Sequence, residues 1–300
     1  MKTAVIYNPV AGAIRKRPKR LERSIDILRR QGHTLEIHPT TGPLTAGGIA
    51  RECVAGGAGL IVVAGGDGTV NEVISGMVGT DVPLAVLPAG TANVLSTELG
   101  LGARMERVAQ RLPVCRPERI SVGLLTTEGG LRQRHFLLMC GVGMDALVVT
   151  LLIPALKERT GKFAYWVAAM RILSRRLVEF HVRVGEASGT CSLALASRVR
   201  NYGGDLEIAR GASLRSPDFE VVLFRGSNPF RYARYFAGVL LGRVDRMKGV
   251  TVLRGRSLDL EPPGPEPVYI QADGELAGRL PARIEIVDHA LTLMMPPAYR

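Results

Sequence analysis

The stretch from Leu60 to Glu72, which reads LIVVAGGDGTVNE, is the feature that most constrains the fold of this chain. Its apolar, β-branched first half predicts a buried strand, and glycines end that strand before a helical pattern begins near Val70. Glycines let backbone N–H groups approach an anion, and the N-terminus of the following helix adds partial positive charge. The turn therefore predicts a phosphate-binding site.

Asp67 lies inside the same turn. A carboxylate there would repel phosphate unless a divalent cation or a hydrogen-bond donor bridged the two groups, so a metal-nucleotide complex is the predicted ligand. The structural alternative is an N-capping box, because Thr69 is followed three positions later by Glu72. Capping does not account for Gly65, Gly66 and Asp67, and we therefore favour phosphate binding.

A second turn of the same kind follows in Leu84–Leu95, which reads LAVLPAGTANVL. The predicted strand ends at Pro88, Gly90 supplies a flexible backbone, and Thr91 and Asn93 offer polar groups where a helix begins. Two such turns on neighbouring strands would flank one nucleotide. The alternative interpretation is an ordinary helix cap after a strand.

Strands and helices alternate through the first third of the chain. The predicted strands are Thr3–Tyr7, Thr34–Ile37, the central strand and Leu84–Leu87; the predicted helices carry Leu21, Ile25 and Leu28 at helical spacing, cover Thr45–Ala55, and lie near Val70–Met77. This alternation predicts a parallel sheet covered on both faces, with ligands at the carboxyl ends of the strands.

The pattern changes near Arg119. Predicted elements from there on are strands at Arg119–Thr127, Leu131–Cys140, Val178–Gly185, Thr190–Val199, Phe219–Arg225, Val250–Leu253, Ser257–Leu260, Val268–Ala272, Arg283–Val287 and Leu291–Met295, a helical stretch from about Asp145 to Leu177, and a helix near Pro229–Leu241. We predict two domains: an α/β nucleotide-binding domain over residues 1–118, and a mainly antiparallel β domain over residues 119–300 that binds the second substrate. The last strands are able to pack back on the first domain.

Two carboxylate positions in the second half are candidates for chemistry. Asp145 lies in GVGMDA, a weak match to a dinucleotide-binding motif; the sequence favours either a tight turn that points Asp145 into a cleft or a helix N-cap. Asp273-Gly274-Glu275 follows the strand VYIQA and is first of all a hairpin signal. Two carboxylates at a strand end are also placed to bind magnesium or accept a proton, if the turn faces the first domain.

The charge of the chain points to acidic partners. The 300 residues carry a formal net charge of +12 and a pI near 10.1, which suits nucleotide phosphates, nucleic acid or an anionic membrane surface without ranking them. Four scattered cysteines predict neither a disulfide framework nor a zinc site, and a cytoplasmic location is expected. The basic, aromatic helix near Pro229–Leu241 either lies on an anionic bilayer or packs on the β domain.

One apolar segment, Phe136–Leu156, has the length of a membrane span. Asp145 is its only charge, and two glycines and Pro154 interrupt it. An unpaired aspartate at bilayer depth is costly, so the sequence favours a buried strand that turns into a helix.

Together these residues resemble the diacylglycerol kinase catalytic-domain superfamily, and within it the small bacterial lipid kinases. The resemblance spans nearly the whole chain and rests on Asn8-Pro9, Gly65-Gly66-Asp67-Gly68-Thr69 with Asn71-Glu72, Pro88-Ala89-Gly90-Thr91-Ala92-Asn93, Gly143-Met144-Asp145-Ala146, Gly161-Lys162-Phe163-Ala164-Tyr165, Asn201-Tyr202-Gly203-Gly204 and Asp273-Gly274-Glu275. The glycine turn alone is also similar to that of NAD kinases, whereas the later motifs favour the lipid kinases.

The resemblance implies a phosphofructokinase-like first domain, a β-sandwich second domain, and ATP with Mg²⁺ in the cleft between them. It implies that the nucleotide or its metal is held by Asn8, Thr41, Gly65, Gly66, Asp67, Gly68, Thr69, Gly90, Thr91 and Asn93. Asp273 matches the proposed base for the lipid hydroxyl, Glu275 belongs to a metal-water network around it, and Asp145 matches an acidic position near the acceptor head group.

The sequence departs from the family pattern in two places. Ala11 stands where the family usually has serine before the glycine, so a hydroxyl contact in the first loop is lost. The segment Pro217-Asp218-Phe219-Glu220 is a degraded form of the usual acidic pattern, which puts in doubt a structural magnesium site at Asp218.

The predicted function is ATP- and Mg²⁺-dependent phosphorylation of a lipid hydroxyl, with diacylglycerol as the leading acceptor. A sphingoid base, phosphatidylglycerol or an isoprenoid alcohol is the alternative acceptor. A non-catalytic lipid or nucleotide sensor is a second alternative, and a nucleic-acid-binding role a third that the dispersed basic residues do not favour. Peripheral association with the inner face of the cell membrane is expected, and a homodimer is left open.

Overall fold

The structure is a computed structural model, and it describes residues 1–151, 177–202 and 206–299. It divides the chain into two compact units: unit 1, formed by Met1–Val122 and Asp288–Arg300, and unit 2, formed by Gly123–Val287. The motif at residues 161–165 and the two glycines of the motif at residues 201–204 lie outside the described residues, as does most of the predicted helical stretch that begins near Asp145.

Unit 1 is built on parallel strands. They are β1 (Lys2–Tyr7), β2 (Thr34–Pro39), β3 (Leu60–Gly65) and β4 (Leu84–Pro88), in the order β2-β1-β3-β4. Every residue of β3 and β4 is buried, as expected of strands whose sheet is covered on both faces. Parallel pairing brings the carboxyl ends of the strands to one edge, where Gly65 of β3 lies in register with Pro88 of β4. The prediction of a parallel α/β domain is confirmed.

Helices cover this sheet. They are α1 (Gly12–Lys16), α2 (Lys19–Arg30), α3 (Ala46–Ala55), α4 (Asp67–Met77), α5 (Val94–Glu98) and α6 (Met105–Arg111). Helix α2 buries Leu21, Ile25 and Leu28, the three residues whose spacing predicted it, because residues three and four apart share one helix face.

Two long strands run from one unit into the other: β5 (Arg116–Thr127) and β18 (Ala282–Met295). The sequence predicted two separate strands over the second of these, which is wrong, since β18 is continuous for 14 residues. The polar residues Asp288 and His289 break the apolar pattern. His289 takes a left-handed φ of 46°, yet the strand continues on both sides of it. The side chain of Asp288 accepts a hydrogen bond from Ser121 at 3.3 Å.

Unit 2 is mainly antiparallel. Its strands are β6 (Arg132–Phe136), β7 (Met139–Gly143), β8 (Phe180–Val184), β9 (Ala187–Cys191), β10 (Leu193–Ser197), β11 (Asn201–Tyr202), β12 (Leu206–Glu207), β13 (Phe219–Phe224), β14 (Val250–Gly255), β15 (Ser257–Glu261), β16 (Tyr269–Ala272) and β17 (Glu275–Arg279); its helices include α7 (Met144–Leu151) and α8 (Pro229–Leu240). One sheet has the order β14-β13-β10-β7-β16-β17, and β15, β8 and β9 pair in sequence with the start of β18.

The core of unit 2 lies between these two groups of strands. Buried side chains from both meet there, including Val142, Phe180, Phe219 and Leu258. The rings of Phe136 and Phe219 stack with centroids 5.8 Å apart. The predicted antiparallel β-sandwich is confirmed.

Two predicted strands are each divided in the structure. The predicted strand Leu131–Cys140 is wrong as a single element, because the chain leaves β6 at Phe136 and the N–H groups of Leu137, Leu138 and Met139 all turn toward the carboxylate of Asp273. The predicted strand at 190–199 divides into β9 and β10 at Ser192. There the backbone N–H bonds to Phe224 O at 3.0 Å.

Helix α8 packs on unit 2 through buried Tyr232 and Tyr235, and the Tyr235 hydroxyl donates to Arg225 O at 2.9 Å. This confirms the packed alternative for that helix, although Phe230 at its start is 86% exposed. None of the helices in the described part of the chain is long and apolar enough to cross a membrane. The apolar segment that begins at Phe136 contains β7 and α7, as predicted, up to residue 151.

Candidate active site

The first glycine turn passes directly from β3 into α4. The helix begins at Asp67 with Gly66 as its N-cap residue, so Thr69 lies inside the first turn and does not cap it. The alternative interpretation of this turn, an N-capping box of Thr69 and Glu72, is therefore wrong. The carboxylate of Glu72 instead accepts the N–H groups of Leu44 and Ala46, both at 3.0 Å, and so caps the start of α3. The first N–H groups of α4 have no partner within the helix, which is the arrangement that binds anions.

The second glycine turn lies against the first. A Cβ atom at Gly90 would lie 2.5 Å from the Cα atom of Gly66, and one at Gly65 would lie 2.6 Å from the Cβ atom of Thr69. Both sites therefore require glycine. Ala89 N donates to Gly65 O at 2.9 Å and ties the second turn to the end of β3. The two turns form one backbone surface at the carboxyl edge of the sheet.

Asp67 joins the two turns through its side chain. Its Oδ1 atom accepts the N–H of Val94 at 2.8 Å, at the start of α5. Asn93 precedes that helix in the left-handed conformation, at φ 48°, which asparagine tolerates. Burial raises the pKa of Asp67, while backbone N–H groups of residues 93–95 partly offset that effect. Within unit 1 this carboxylate holds the second turn in place.

Asn8 extends the site to the end of β1. Its Nδ2 group donates to Thr69 Oγ1 at 3.2 Å, and its Oδ1 accepts the N–H of Val10 at 3.0 Å. The loop keeps its backbone contacts despite the alanine at position 11, since Ala13 N donates to Ala89 O at 3.0 Å. The structure thus brings the first loop and both glycine turns together.

The other two predicted nucleotide residues lie at the same edge. Thr41 is exposed in the loop that follows β2, and Thr91 is exposed in the loop that follows β4. Both positions are accessible from solvent. Each follows the carboxyl end of a parallel strand, Thr41 after β2 and Thr91 after β4.

These residues fit the phosphate chain of a nucleotide. Close glycine backbones admit an anion, and the start of α4 offers N–H donors to it. Among the described residues, no three or more His, Cys, Asp or Glu side chains cluster closely enough to hold a metal ion by themselves. Mg²⁺ is commonly bound by one or two carboxylates together with substrate phosphates, and Asp67 is the carboxylate at this turn.

In unit 2, Asp273 occupies the β16–β17 hairpin turn. It has φ 49° and Gly274 has φ 83°, the left-handed pair typical of a two-residue turn. Its Oδ2 accepts the N–H of Leu137 at 2.8 Å, and its Oδ1 accepts those of Leu138 and Met139 at 2.9 Å. Burial raises the pKa of Asp273 to about 6, although these three N–H groups act in the opposite direction. A carboxyl with this pKa is matched to proton transfer near neutral pH.

Glu275, two residues further on, is held differently. Its Oε2 lies 2.6 Å from an Nη atom of Arg134, and its side chain is about half exposed. The same arginine also acts on Asp273, lowering its pKa against the larger effect of burial. The hairpin therefore carries one buried carboxylate and one exposed carboxylate that is already paired with a cation.

Asp145 is buried in the first turn of α7 and is 1% exposed. Its Oδ1 accepts the hydroxyl of Tyr202, and its Oδ2 accepts Nε2 of Gln271 at 2.6 Å. Burial raises the pKa of Asp145, and these two donors moderate the rise. Gln271 also accepts the N–H of Gly274 at 2.8 Å through Oε1, so a chain of hydrogen bonds links Asp145 to the Asp273 turn.

The surroundings of Asp218 fit a guanidinium group and do not fit a structural metal ion. Arg254 donates to Asp218 Oδ1 at 2.8 Å and lies 3.5 Å from Glu220 Oε2. It also donates to the carbonyl oxygen of Gly211. The guanidinium group of Arg254 thus already occupies the place between the two carboxylates and the carbonyl oxygen where a metal ion would bind.

Some site residues were missed by the sequence interpretation. Gln271 and Arg134 had no assigned role, and Tyr202 was noted only as part of a motif. A signal existed for Gln271, because a polar side chain in a strand that is otherwise buried needs a hydrogen-bond partner. No local pattern marks Arg134, whose partner Glu275 lies 141 positions away.

Comparison with known proteins places this arrangement in a class. Residues 2–125 match the diacylglycerol kinase catalytic domain, and residues 139–295 match the YegS C-terminal NAD kinase beta sandwich-like domain. The chain therefore belongs to the diacylglycerol kinase-like lipid kinases, and the predicted family is confirmed. The family implies ATP as the phosphoryl donor, and the prediction of an ATP-dependent lipid kinase is confirmed at that level.

Individual relatives agree with this assignment. A diacylglycerol kinase from Mycobacterium tuberculosis is 29% identical over 253 residues, covering 83% of this chain and 80% of the relative. A diacylglycerol kinase from Bacillus subtilis is 26% identical over 301 residues, covering 97% and 95%, and lipid kinase YegS of Escherichia coli is 24% identical over 289 residues, covering 92% and 91%. A solved diacylglycerol kinase from Bacillus anthracis shares the fold, with TM-score 0.75 and 21% identity over 100% of this chain and 98% of that one.

Proposed function

We propose that this chain transfers the γ-phosphoryl group of Mg²⁺-ATP to the hydroxyl of diacylglycerol and so produces phosphatidic acid. The observation that carries the proposal is the contact of the two glycine turns, fixed by Asp67 at the edge of the parallel sheet. Relatives that bear the name diacylglycerol kinase over most of both chains support the choice of acceptor.

Unit 1 binds the nucleotide in this proposal. Backbone N–H groups of the turn Gly65–Thr69 and the start of α4 hold the phosphates, while Asn8, Thr41, Gly90, Thr91 and Asn93 line the nucleotide. Asp67 is the carboxylate for Mg²⁺, which would neutralise the phosphate oxygens. Phosphoryl transfer depends mainly on positioning and charge stabilisation, and these residues supply both.

Unit 2 acts on the acceptor. Asp273 takes the proton of the lipid hydroxyl, because its pKa of about 6 leaves it mostly ionised at neutral pH and still able to bind a proton. Glu275 and Arg134 form the charged pair beside it. Asp145 is too deeply buried to contact a head group, so we assign it to positioning Tyr202 and Gln271, which in turn support the hairpin.

The test is the transfer of labelled phosphate from Mg²⁺-ATP to a panel of lipids in mixed micelles. The expected result is label in phosphatidic acid with wild type and loss of most turnover with Asp273→Asn and Asp67→Ala. Label in another lipid would keep the mechanism and change the acceptor to a sphingoid base, phosphatidylglycerol or an isoprenoid alcohol. No label with ATP still bound would favour a non-catalytic sensor.

Asp259→Asn is the matched control for the loss of a carboxylate in unit 2. Asp259 forms ion pairs with Arg183 and Arg283 at 2.8 and 2.9 Å, and it lies on β15, in the other sheet from the strands β16 and β17 that carry the Asp273 turn. We expect it to keep full turnover. Equal activity of Asp273→Asn and Asp259→Asn would remove Asp273 from the mechanism.

Membrane association is part of the same proposal. The net charge of +12 favours an anionic surface, and a lipid acceptor requires peripheral contact with the membrane that contains it. Sedimentation with anionic and with neutral vesicles tests this contact, and the expected result is salt-sensitive binding to the anionic ones alone.

A further inference from the structure

A cavity of about 700 Å³ opens between helices α2 and α6 of unit 1. Six arginines line it: Arg17, Arg20, Arg23, Arg30, Arg104 and Arg107. Arg20, Arg23, Ile27 and Arg30 follow one another at spacings of three or four and so share one face of α2, which is a different face from the one that buries Leu21, Ile25 and Leu28. The helical spacing of both elements concentrates positive charge in one concave place.

Both acidic side chains that line this cavity already form ion pairs. Of its two acidic lining residues, Glu106 pairs with Arg20 at 3.1 Å, and Asp26 pairs at 3.2 Å with Arg29, which does not line the cavity. Within the described part of the chain, Arg17, Arg23, Arg30, Arg104 and Arg107 form no ion pair at all. Glu106 also interacts electrostatically with Arg23. The six arginines of the lining still outnumber its two carboxylates, and such an excess of positive charge favours a bound anion.

The lining decides what kind of anion fits. Arginine presents its N–H donors in a planar fork that matches phosphate oxygens, two at a time. Among the described residues that line the cavity, none is aromatic and only Ile27 is apolar, so they offer no surface on which a nucleobase could stack. Its volume lies within the range of small-ligand pockets, about 300–1,000 Å³. A compact group with several phosphate oxygens satisfies these conditions, and a nucleotide does not.

We propose that this arginine cavity is a second anion site of unit 1 that binds phosphate groups carrying more than one negative charge. It is built on α2 and α6, whereas the glycine turns are built on β3 and β4, and it does not depend on the proposed kinase reaction. A phosphate monoester of a lipid head group and a soluble polyphosphate share this chemistry.

The experiment compares wild type with Arg23→Gln/Arg107→Gln, which removes one guanidinium from each helix and keeps good helix formers. Arg111→Gln is the matched control, because Arg111 is exposed on α6 and does not line the cavity. Binding of tripolyphosphate is measured by calorimetry with the nucleotide site saturated by a non-hydrolysable ATP analogue. Flotation with phosphatidylcholine vesicles, with and without phosphatidic acid, is the second arm, and circular dichroism checks that each variant is folded.

We expect tripolyphosphate or phosphatidic acid vesicles to bind wild type and Arg111→Gln alike, and to bind the double variant at least about tenfold more weakly. Loss confined to tripolyphosphate identifies a soluble ligand, and loss confined to the vesicles identifies a lipid head group. The proposal is overturned if the double variant binds both probes as wild type does, or if wild type binds neither. Kinase activity is measured separately, so its absence would not be confused with failure of this site.

Discussion

The contact between the two glycine turns makes Gly90→Ala the sharpest test of the nucleotide site. An added Cβ atom would lie 2.5 Å from the Cα atom of Gly66 and 3.0 Å from Asn93 Oδ1. The first of these neighbours is backbone and cannot rotate away. Because ordinary contact begins near 3.4 Å, the turns have to separate by about 1 Å.

A displacement of this size has a predictable cost. Misplacing a reacting group by about 1 Å reduces catalysis by about 10²-fold, and overpacking a tight site costs about 1–3 kcal/mol of stability. We therefore expect Gly90→Ala to lower kcat/KM for ATP by about 100-fold and the free energy of unfolding by about 1–3 kcal/mol. Nucleotide titration, steady-state kinetics and urea unfolding measure the three quantities.

Gly48→Ala provides the matched control. Gly48 lies in α3 of the same unit, and a Cβ atom there would meet nothing within 4 Å. Replacing a helical glycine with alanine stabilises by about 0.5–1 kcal/mol, so this variant should be more stable and bind nucleotide normally. Wild-type affinity and kcat/KM in Gly90→Ala would refute the reasoning, since the turns would then not be the nucleotide site.

Four further predictions concern carboxylates and an arginine that pairs with two of them. Burial raises the pKa of Asp273 from 3.8 to about 6. Its contribution to stability is therefore fully present below pH 3.8 and is lost as pH rises through 6, a difference of about 3 kcal/mol. In urea unfolding between these pH values, the stability of Asp273→Asn should depend less on pH than the stability of wild type. If Asp273 is also the base, kcat/KM of wild type falls below about pH 6. Arg254→Ala should lower the Tm, and added Mg²⁺ should then raise it, because the variant frees the carboxylates of Asp218 and Glu220. EDTA should leave the Tm of wild type unchanged. A wild-type Tm that falls in EDTA would contradict the conclusion that Arg254, rather than a metal ion, occupies this place. Glu72→Gln keeps one of two acceptor oxygens at the start of α3 and should cost about 1 kcal/mol in urea unfolding, and no loss would show that this cap is unimportant.

The fold and the approach of the two glycine turns to each other could be predicted because their signals are local. A buried apolar run, a glycine pair and a helical pattern lie within thirteen residues from Leu60 to Glu72, and parallel alternation then brings such turns to one edge. What failed depended on distant partners. Glu72 caps a helix whose first residue lies 26 positions away. Strand β6 ends at Phe136 because the N–H groups of residues 137–139 bond to Asp273, more than 130 positions further along the chain.

The positions of the buried carboxylates along the chain marked them as candidate site residues but did not indicate their contacts. Asp67, Asp145 and Asp273 each have a pKa raised by burial, and each is held by donors from a distant segment. A buried charge without such donors would destabilise the fold by several kcal/mol, so each aspartate requires a second segment to form around it. Those segments are the start of α5 for Asp67 and the chain between β6 and β7 for Asp273. The hydrogen bonds that compensate the burial of each carboxylate also fix its orientation, and the proposed phosphoryl transfer would depend on such fixed groups to stabilise charge.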